Sequence, residues 1–446
     1  MKVSNSMMIK HSLLMGWCAA FVLMPKVVLA HDQIPGHVPK GDVAIVGGTV
    51  HVVDGPVLAS GTVLMRDGKI VEVGKKVKLS AKCRKIDATD KHVYPGLMES
   101  ISNLGLVEIN AVDVTVDTNE LGSENANLKS WIAVNPDSEL IPVARSNGVL
   151  LASIAPDRGL IRGQIGVIAL DGWTYGDMLI KGPAGMMASW RGLDSREDDD
   201  AKRATERDKR LKEFDEFIDS AKRYAERRTA DSGVALDVRY EDFLPVIRGE
   251  VPMVVDADSR RSIEAAVTFC VDRGIRVVIY GGYDAAECAT LLKRHDVPVI
   301  VHATYRLPRR RHEPYDHPYT LPKRLSDAGI RFAIGGEGSG YPGGASNARN
   351  LPYHAAVAAA YGLSVEDALR SITLSPAEIM GVADRVGSLT AGKDATLFIA
   401  DGDILITQTQ VTDAFIGGAP VDLGDRHKSL YRKYQQKYRA ADNKVR

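Results

Sequence analysis

Cysteine is scarce in this sequence, with four residues in 446. Cys18 falls within the first thirty residues, which leaves Cys83, Cys270 and Cys288 for the folded part. An odd number at wide spacing is neither a disulfide framework nor a zinc motif. Cys270 and Cys288 lie in helical patterns and read as core residues, with one disulfide left open for an oxidising compartment. An excess of one charge is also missing. Fifty-seven Lys and Arg balance 57 Asp and Glu, so no global field recommends nucleic acid or an anionic surface as a partner of the whole chain. No apolar run reaches the roughly 20 residues that a membrane-crossing helix needs. The run SLLMGWCAAFVLM follows Lys2 and Lys10 and precedes VLA before His31, so residues 1–30 read as an export leader. Trp17 before Cys18 is too large for a lipoprotein signal. Release into a bacterial periplasm is the expectation, and an uncleaved anchor the alternative.

Two catalytic signatures are absent as well. No serine stands in a G-x-S-x-G elbow. The glycine-rich GGEGSGYPGG follows a strand but lacks the lysine or acidic partner of a phosphate cradle, so it reads as a flexible loop over a site, with a helix beginning near Ala348.

What is present is 45% hydrophobic, with 41 glycines and 20 prolines, enough for a large buried core. VAIVGGTVHVVDG and GTVLMRDGKIVEVG alternate as half-buried strands, and Asp67-Gly68 is a hairpin signal. Matching runs return at Gly387–Ile399 and Val411–Val421, which suggests one β domain built from both chain ends. Between them, NGVLLASIAP, VPMVVDA, IRVVIYGG, VPVIVHAT and IRFAIGGEG are near-continuous apolar strands, several followed by helical patterns such as SRRSIEAAVTFCVDR. Repeated βα units of this kind predict an α/β fold, a (β/α)8 TIM-like barrel with parallel strands buried on both faces, beside a small β-sandwich domain. The expected layout is a leader over 1–30, β-sandwich segments at 42–92 and 386–424, the barrel at 93–385, and a basic helical tail at 425–446. Asp194–Arg228 is densely charged, with a thin stripe at Leu211, Phe214 and Phe217, and reads as a solvated inserted helix or else a partner site. The tail carries Tyr431, Tyr434 and Tyr438 at helical spacing, for docking on its own chain or on a second subunit.

The runs VAIVGGTVHVVDG, VYPGLMES, NARNLPYHAAVAAAYGLSVEDALRSITLSPAEIMGVADRVGSLTAGKDATLFIADGD and FIGGAPVDL resemble the amidohydrolase superfamily, specifically its imidazolonepropionase-like branch, over roughly residues 42–423. The resemblance implies a metallo-barrel flanked by a β domain, with divalent metal at the C-terminal strand ends activating water against a C–N bond. The family supplies His-x-His after strand 1, a Lys or Glu on strand 4, histidines after strands 5 and 6, and Asp after strand 8. Carried over by position, the first pair falls on Ile101 and Asn103, neither of which ligates as histidine does. The strand-5 histidine falls on or near Asp256 and the strand-6 histidine on Gly281. The strand-8 aspartate becomes Glu337. Lys181 is the one nameable candidate for strand 4. The resemblance therefore implies the scaffold without the usual histidine ligands.

Glu99, Asp256, Asp258, His302 and Glu337 fall at or just past strand ends, so an acidic mouth is expected. Those carboxylates could cap strand ends and pair with Arg260, Arg261 and Arg349. They could hold a hard cation, with Glu99, Asp256 and Glu337 as ligands. They could also form an acid–base set, with Glu337, Asp256 and His302 catalytic and Asp258 and Arg349 binding substrate. His312, Asp316 and His317 make a possible surface metal or anion site, or a solvated loop; His354 reads as an ordinary helix residue. The reading is an exported, catalytically degenerate amidohydrolase-like protein that binds a small ligand or pairs with itself or an intact paralogue. No cofactor, nucleic acid or stable membrane insertion is expected. The alternatives are a C–N hydrolase with a rebuilt, carboxylate-rich site holding a divalent metal, and a structural protein using the charged helix and aromatic tail.

Overall fold

Among the described residues, sixteen strands form two eight-stranded sheets. They are seen in a computed structural model that describes residues 34–190, 200–231, 233–338 and 343–445. The leader assigned to residues 1–30, the start of the charged segment and the tip of the glycine-rich loop lie outside the described residues.

The first sheet joins the two chain ends. Its N-terminal strands are β1 (Val43–Val50), β2 (Leu58–Arg66), β3 (Lys69–Gly74), β4 (Arg84–Asp87) and β5 (His92–Pro95); the C-terminal ones are β14 (Leu397–Ala400), β15 (Val411–Ile416) and β16 (Ala419–Pro420). The order is β16-β15-β14-β5-β1-β2-β3, with β4 beside β1. The Asp67-Gly68 turn forms as expected: both residues have positive φ, 49° and 80°, and Arg66 pairs with Lys69 across it. Such a two-residue turn matches the right-handed strand twist. β5 meets β14 antiparallel, with Val93 opposite Ile399 and Tyr94 opposite Phe398. Ile45, Val63, Ile70, Val93, Leu397 and Phe415 pack into one apolar cluster that holds the ends together.

The second sheet is the barrel. It runs in sequence order from β6 (Leu97–Ser102) through β7 (Val149–Ile154), β8 (Ile161–Ala169), β9 (Leu179–Ser189), β10 (Met253–Ala257), β11 (Val277–Gly281) and β12 (Val299–His302) to β13 (Phe332–Gly335). Ser100 Oγ donates to the Ile334 carbonyl at 3.3 Å and links the outer strands. One feature departs from repeated parallel units: β8 is antiparallel to both β7 and β9. Its flanking links, residues 155–160 and 170–178, are shorter than the dozen or so residues a parallel crossover requires. The chain therefore turns back on itself, and the start of β8 lies beside the C-terminal ends of its neighbours.

Inside the barrel, Met98, Ile101, Leu151, Ile165, Val254, Val278 and Ile300 form a dry layer, closed at one end by Ala377, Ile379 and Met380. Burying each large aliphatic side chain there contributes roughly 1.5–3 kcal/mol. Outside, the helix Arg260–Asp272 starts on a Ser259 side-chain cap to the Ser262 amide. Cys270 and Cys288 are buried, and they and Cys83 are free. The charged helix, Asp200–Ala230, is not wholly solvated. Phe214 and Phe217 are buried; Phe214 packs tilted against Trp190 and edge-to-face with Phe269, and Phe217 edge-to-face with Phe243. The tail is a helix, Arg426–Val445, yet it does not dock on its own chain through its tyrosines: Tyr431, Tyr434 and Tyr438 are 65%, 48% and 63% exposed. Among the described residues no helix is long and apolar enough to cross a membrane.

Candidate functional site at the barrel mouth

Because β8 is reversed, its second residue, Arg162, reaches the mouth rather than the floor. The Arg162 guanidinium pairs with Asp256 Oδ2, and the two side chains are 3% and 12% exposed. Asp256 Oδ1 accepts from the Trp190 amide at 2.8 Å. A buried carboxylate needs such compensation, since an isolated charge out of water is costly.

His302 ends β12. Its Nε2 bonds to the Glu337 carbonyl, which accepts only, so Nε2 carries the hydrogen and Nδ1 accepts from Arg306 at 3.2 Å. Burial first, then the Arg306 charge, pushes its pKa down to about 4. It is a neutral imidazole with both nitrogens engaged. Tyr280, on β11, tilts toward it with ring centroids 5.5 Å apart, and burial followed by the negative charge of Glu99 raises the phenol's pKa. Just past β10, Asp258 takes Arg309 at 2.6 Å. Burial works against its charge, but Arg309 and Arg306 outweigh it and hold the carboxyl below the usual range.

Glu99, on β6, is 2% exposed. Its Oε1 accepts from the Gly336 amide at 2.8 Å, while Oε2 has no hydrogen-bond partner among the described residues. Burial pushes its pKa up to about 7 against the pull of the Gly336, Ser100 and Ile101 amides, with Glu337 adding like-charge repulsion. Glu337 itself accepts from Asn347 Nδ2 at 2.6 Å through Oε2. The glycines of GGEG follow from this crowding. A Cβ on Gly336 would lie 2.7 Å from Glu99 Oε2, and one on Gly338 (φ +73°) would overlap the Tyr280 hydroxyl.

Several expected placements change. The arginines paired with the mouth carboxylates are Arg162 on Asp256 and Arg309 on Asp258, with the Arg306 charge nearby, not Arg260, Arg261 and Arg349. Arg260 bonds to Glu264 at 2.8 Å on its own helix. The Arg349 side chain is exposed and its carbonyl accepts from Asn147 Nδ2 at 2.6 Å. Lys181 is at the other end of the barrel, donating to the Met380 and Gly381 carbonyls at 3.2 and 3.1 Å. It lies eight residues, roughly 26 Å of strand, before the mouth end of β9. Ser189, not a lysine, sits opposite Asp256. Ile101 belongs to the dry interior layer.

Sequence reading passed over Arg162, Trp190, Tyr280 and Arg306. Arg162 carried a signal, a lone arginine opening the otherwise uncharged run IRGQIGVIA. Its meaning depended on strand direction, which the run does not encode.

Among the described residues, the group of three donors close enough to share a metal ion is Asp284, Glu313 and His317. Glu99, Asp256, His302 and Glu337 are not brought into such a group, and neither are His312 and Asp316 with His317. The Asp284 cluster already contains a cation. Arg310 reaches Asp284 at 2.5 Å and Glu313 at 2.7 Å, and the Tyr283 hydroxyl donates to Glu313 at 2.6 Å. Despite burial, these bonds hold Glu313 at about 2. Beside Arg162, a cleft of about 370 Å³ opens between the mouth and the charged helix, lined by groups of both signs that include Asp157, Glu206, Lys209 and Arg210.

Residues 257–422 match the model of the amidohydrolase family. The match runs from the end of β10 to the last strand of the first sheet, and over that part the chain is similar to the amidohydrolase family. An amidohydrolase from Thermotoga maritima superposes with a TM-score of 0.75 at 24% identity, covering 85% of this chain and 99% of that one. Molinate hydrolase gives 0.52 at 18%, over 87% and 96%, and a zinc-bound adenosine deaminase from Xanthomonas campestris 0.51 at 16%, over 90% and 99%. No curated protein sequence matches. At these identities the structural likenesses establish the fold of this chain and not its reaction.

Proposed function

We propose that this protein is an exported, imidazolonepropionase-like member of the amidohydrolase superfamily that works without the superfamily's metal centre, as a ligand-binding or partner subunit. The observation that carries the reading is the Arg162–Asp256 pair. A metal ion at the mouth needs oxygen or imidazole lone pairs free to converge on it. Here Asp256 is neutralised by a guanidinium that cannot lose its proton, Asp258 is held by Arg309, and both nitrogens of His302 are bonded. The donor set does not fit a divalent metal. A catalytic role would need another source of nucleophile, and Glu99, whose pKa burial pushes up to about 7, faces the backbone of Gly336. The rebuilt-site hydrolase is therefore the less favoured reading.

Binding remains well supported. The cleft beside Arg162 offers both charge signs to a small polar ligand. A partner role rests on a different observation: loops after β6 and β12 expose Ile109, Val114, Leu121 and Leu307, the last three at 94%, 96% and 83%. Exposed apolar side chains on mouth loops suit a second subunit.

Elemental analysis of the purified protein tests the central claim. Metal well below one equivalent, and a melting temperature unmoved by chelator, are expected. One equivalent of zinc, manganese or iron, lost in Asp256→Ala and Glu99→Ala, would overturn it.

A further inference from the structure

We propose that the C-terminal helix, Arg426–Val445, docks on an anionic lipid surface, lying along it without crossing it. The helix is 20 residues long. At about 100° per residue, Leu430, Tyr431, Tyr434 and Tyr438 fall within roughly 100° of one another on one face. All four are exposed, Leu430 by 41%. Isolated helices of this length are marginal in water, and most gain stability by burying an apolar face. Here that face is open.

Charge identifies what covers it. Arg426, Lys428, Arg432, Lys433, Lys437 and Arg439 are the charged residues between Arg426 and Arg439, all of them basic, in a chain that is neutral overall. Two such helices packed face to face would repel, which disfavours a second copy. A nucleic acid would answer the charge but would leave the Leu and Tyr stripe without an apolar medium. A bilayer surface bearing anionic headgroups answers both. Tyrosine suits the interface because its ring is apolar and its hydroxyl stays wet, and lysine stems extend beside it. The Lys437 ammonium already lies 6.0 Å from the ring centroids of both Tyr434 and Tyr438. Basic amphipathic helices of this composition lie in the headgroup region.

The full chain is mixed with phosphatidylcholine vesicles, with and without phosphatidylglycerol, and co-sedimentation is measured. Binding should require phosphatidylglycerol and weaken steeply with salt. Lys433→Gln/Lys437→Gln should weaken it on the order of tenfold or more, at about fivefold per charge. Tyr431→Ser/Tyr434→Ser/Tyr438→Ser should weaken it similarly, with the thermal unfolding of the body unchanged because these residues are exposed. The N-terminal residues are common to every variant, so lipid binding that survives both sets of substitutions overturns the proposal. So does equal binding to neutral vesicles, no binding to either, a preference for an oligonucleotide, or self-association that the tyrosine variants abolish.

Discussion

The two ends of the barrel are finished by opposite means. At the floor, Ala377, Ile379 and Met380 close an apolar layer, and the charged groups beside it are nearer the surface, Lys181 donating to the Met380 and Gly381 carbonyls and Arg385 to the Ile180 carbonyl. At the mouth, Asp256, Asp258, His302, Glu99 and Glu337 crowd together with Arg162, Arg306 and Arg309. A floor of alkyl groups tolerates small changes in shape. A mouth of buried charges does not, because each group is stable only while its partner remains. Stability should therefore depend far more on single side chains at the mouth.

The sharpest way to break that contrast is to remove the arginine. Arg162→Ala leaves Asp256 buried without its counter-charge and should cost roughly 3–5 kcal/mol in denaturant unfolding. Arg162→Met with Asp256→Asn should recover much of the loss, since no uncompensated charge remains. Equal losses in the single and double variants would show that the pair does not act as a unit.

Next in size is a pH effect. Glu99 binds its proton with a pKa of about 7 in the fold, against an ordinary value of 4.5. Between those values the folded chain holds more protons than the unfolded one, so the Glu99 contribution falls as pH rises from 4.5 and levels off above 7. At about 1.4 kcal/mol per pH unit the total is roughly 3 kcal/mol. Glu99→Gln has no such slope, so its stability relative to the parent should improve by up to that amount from pH 4.5 to 8. Parallel stability profiles for the two proteins would refute the assignment.

A pair of glycines compares the mouth with the terminal sheet directly. Both Gly338 and Gly68 have positive φ, 73° and 80°. An added methyl meets the buried Tyr280 hydroxyl at Gly338, and the Gly417 carbonyl, 2.7 Å away, at Gly68. Gly338→Ala should cost roughly 2–3 kcal/mol and Gly68→Ala roughly 1–2 kcal/mol by thermal or denaturant unfolding. Tyr280→Phe should rescue part of the first loss and none of the second. A larger cost at Gly68 would reverse the view of which region is more tightly determined.

Legibility in the sequence follows the range of the interactions. The Asp67-Gly68 hairpin, the helix in SRRSIEAAVTFCVDR and the apolar strands β7, β10, β11, β12 and β13 each depend on a few neighbouring residues, and each formed as read. The joining of the chain ends was visible too, because two runs of strands needed a common core. At the mouth, local pattern failed. The acidic strand ends were recognised, but the arginines assigned to them came from nearby sequence, whereas Arg162 lies 94 residues from Asp256. His302 was singled out for ending a buried strand, and nothing local indicated that both its nitrogens would be occupied.

Periodicity, turn residues and the PGLMES and C-terminal runs determined by themselves that this chain would be a strand-and-helix barrel closed by a sheet from both ends, since the burial of apolar side chains at fixed spacing is a property of short segments. Tertiary structure alone decided the direction of β8, and with it that a guanidinium would meet Asp256. Which charges neutralise one another depends on distances in space, and those are set only when all eight strands close.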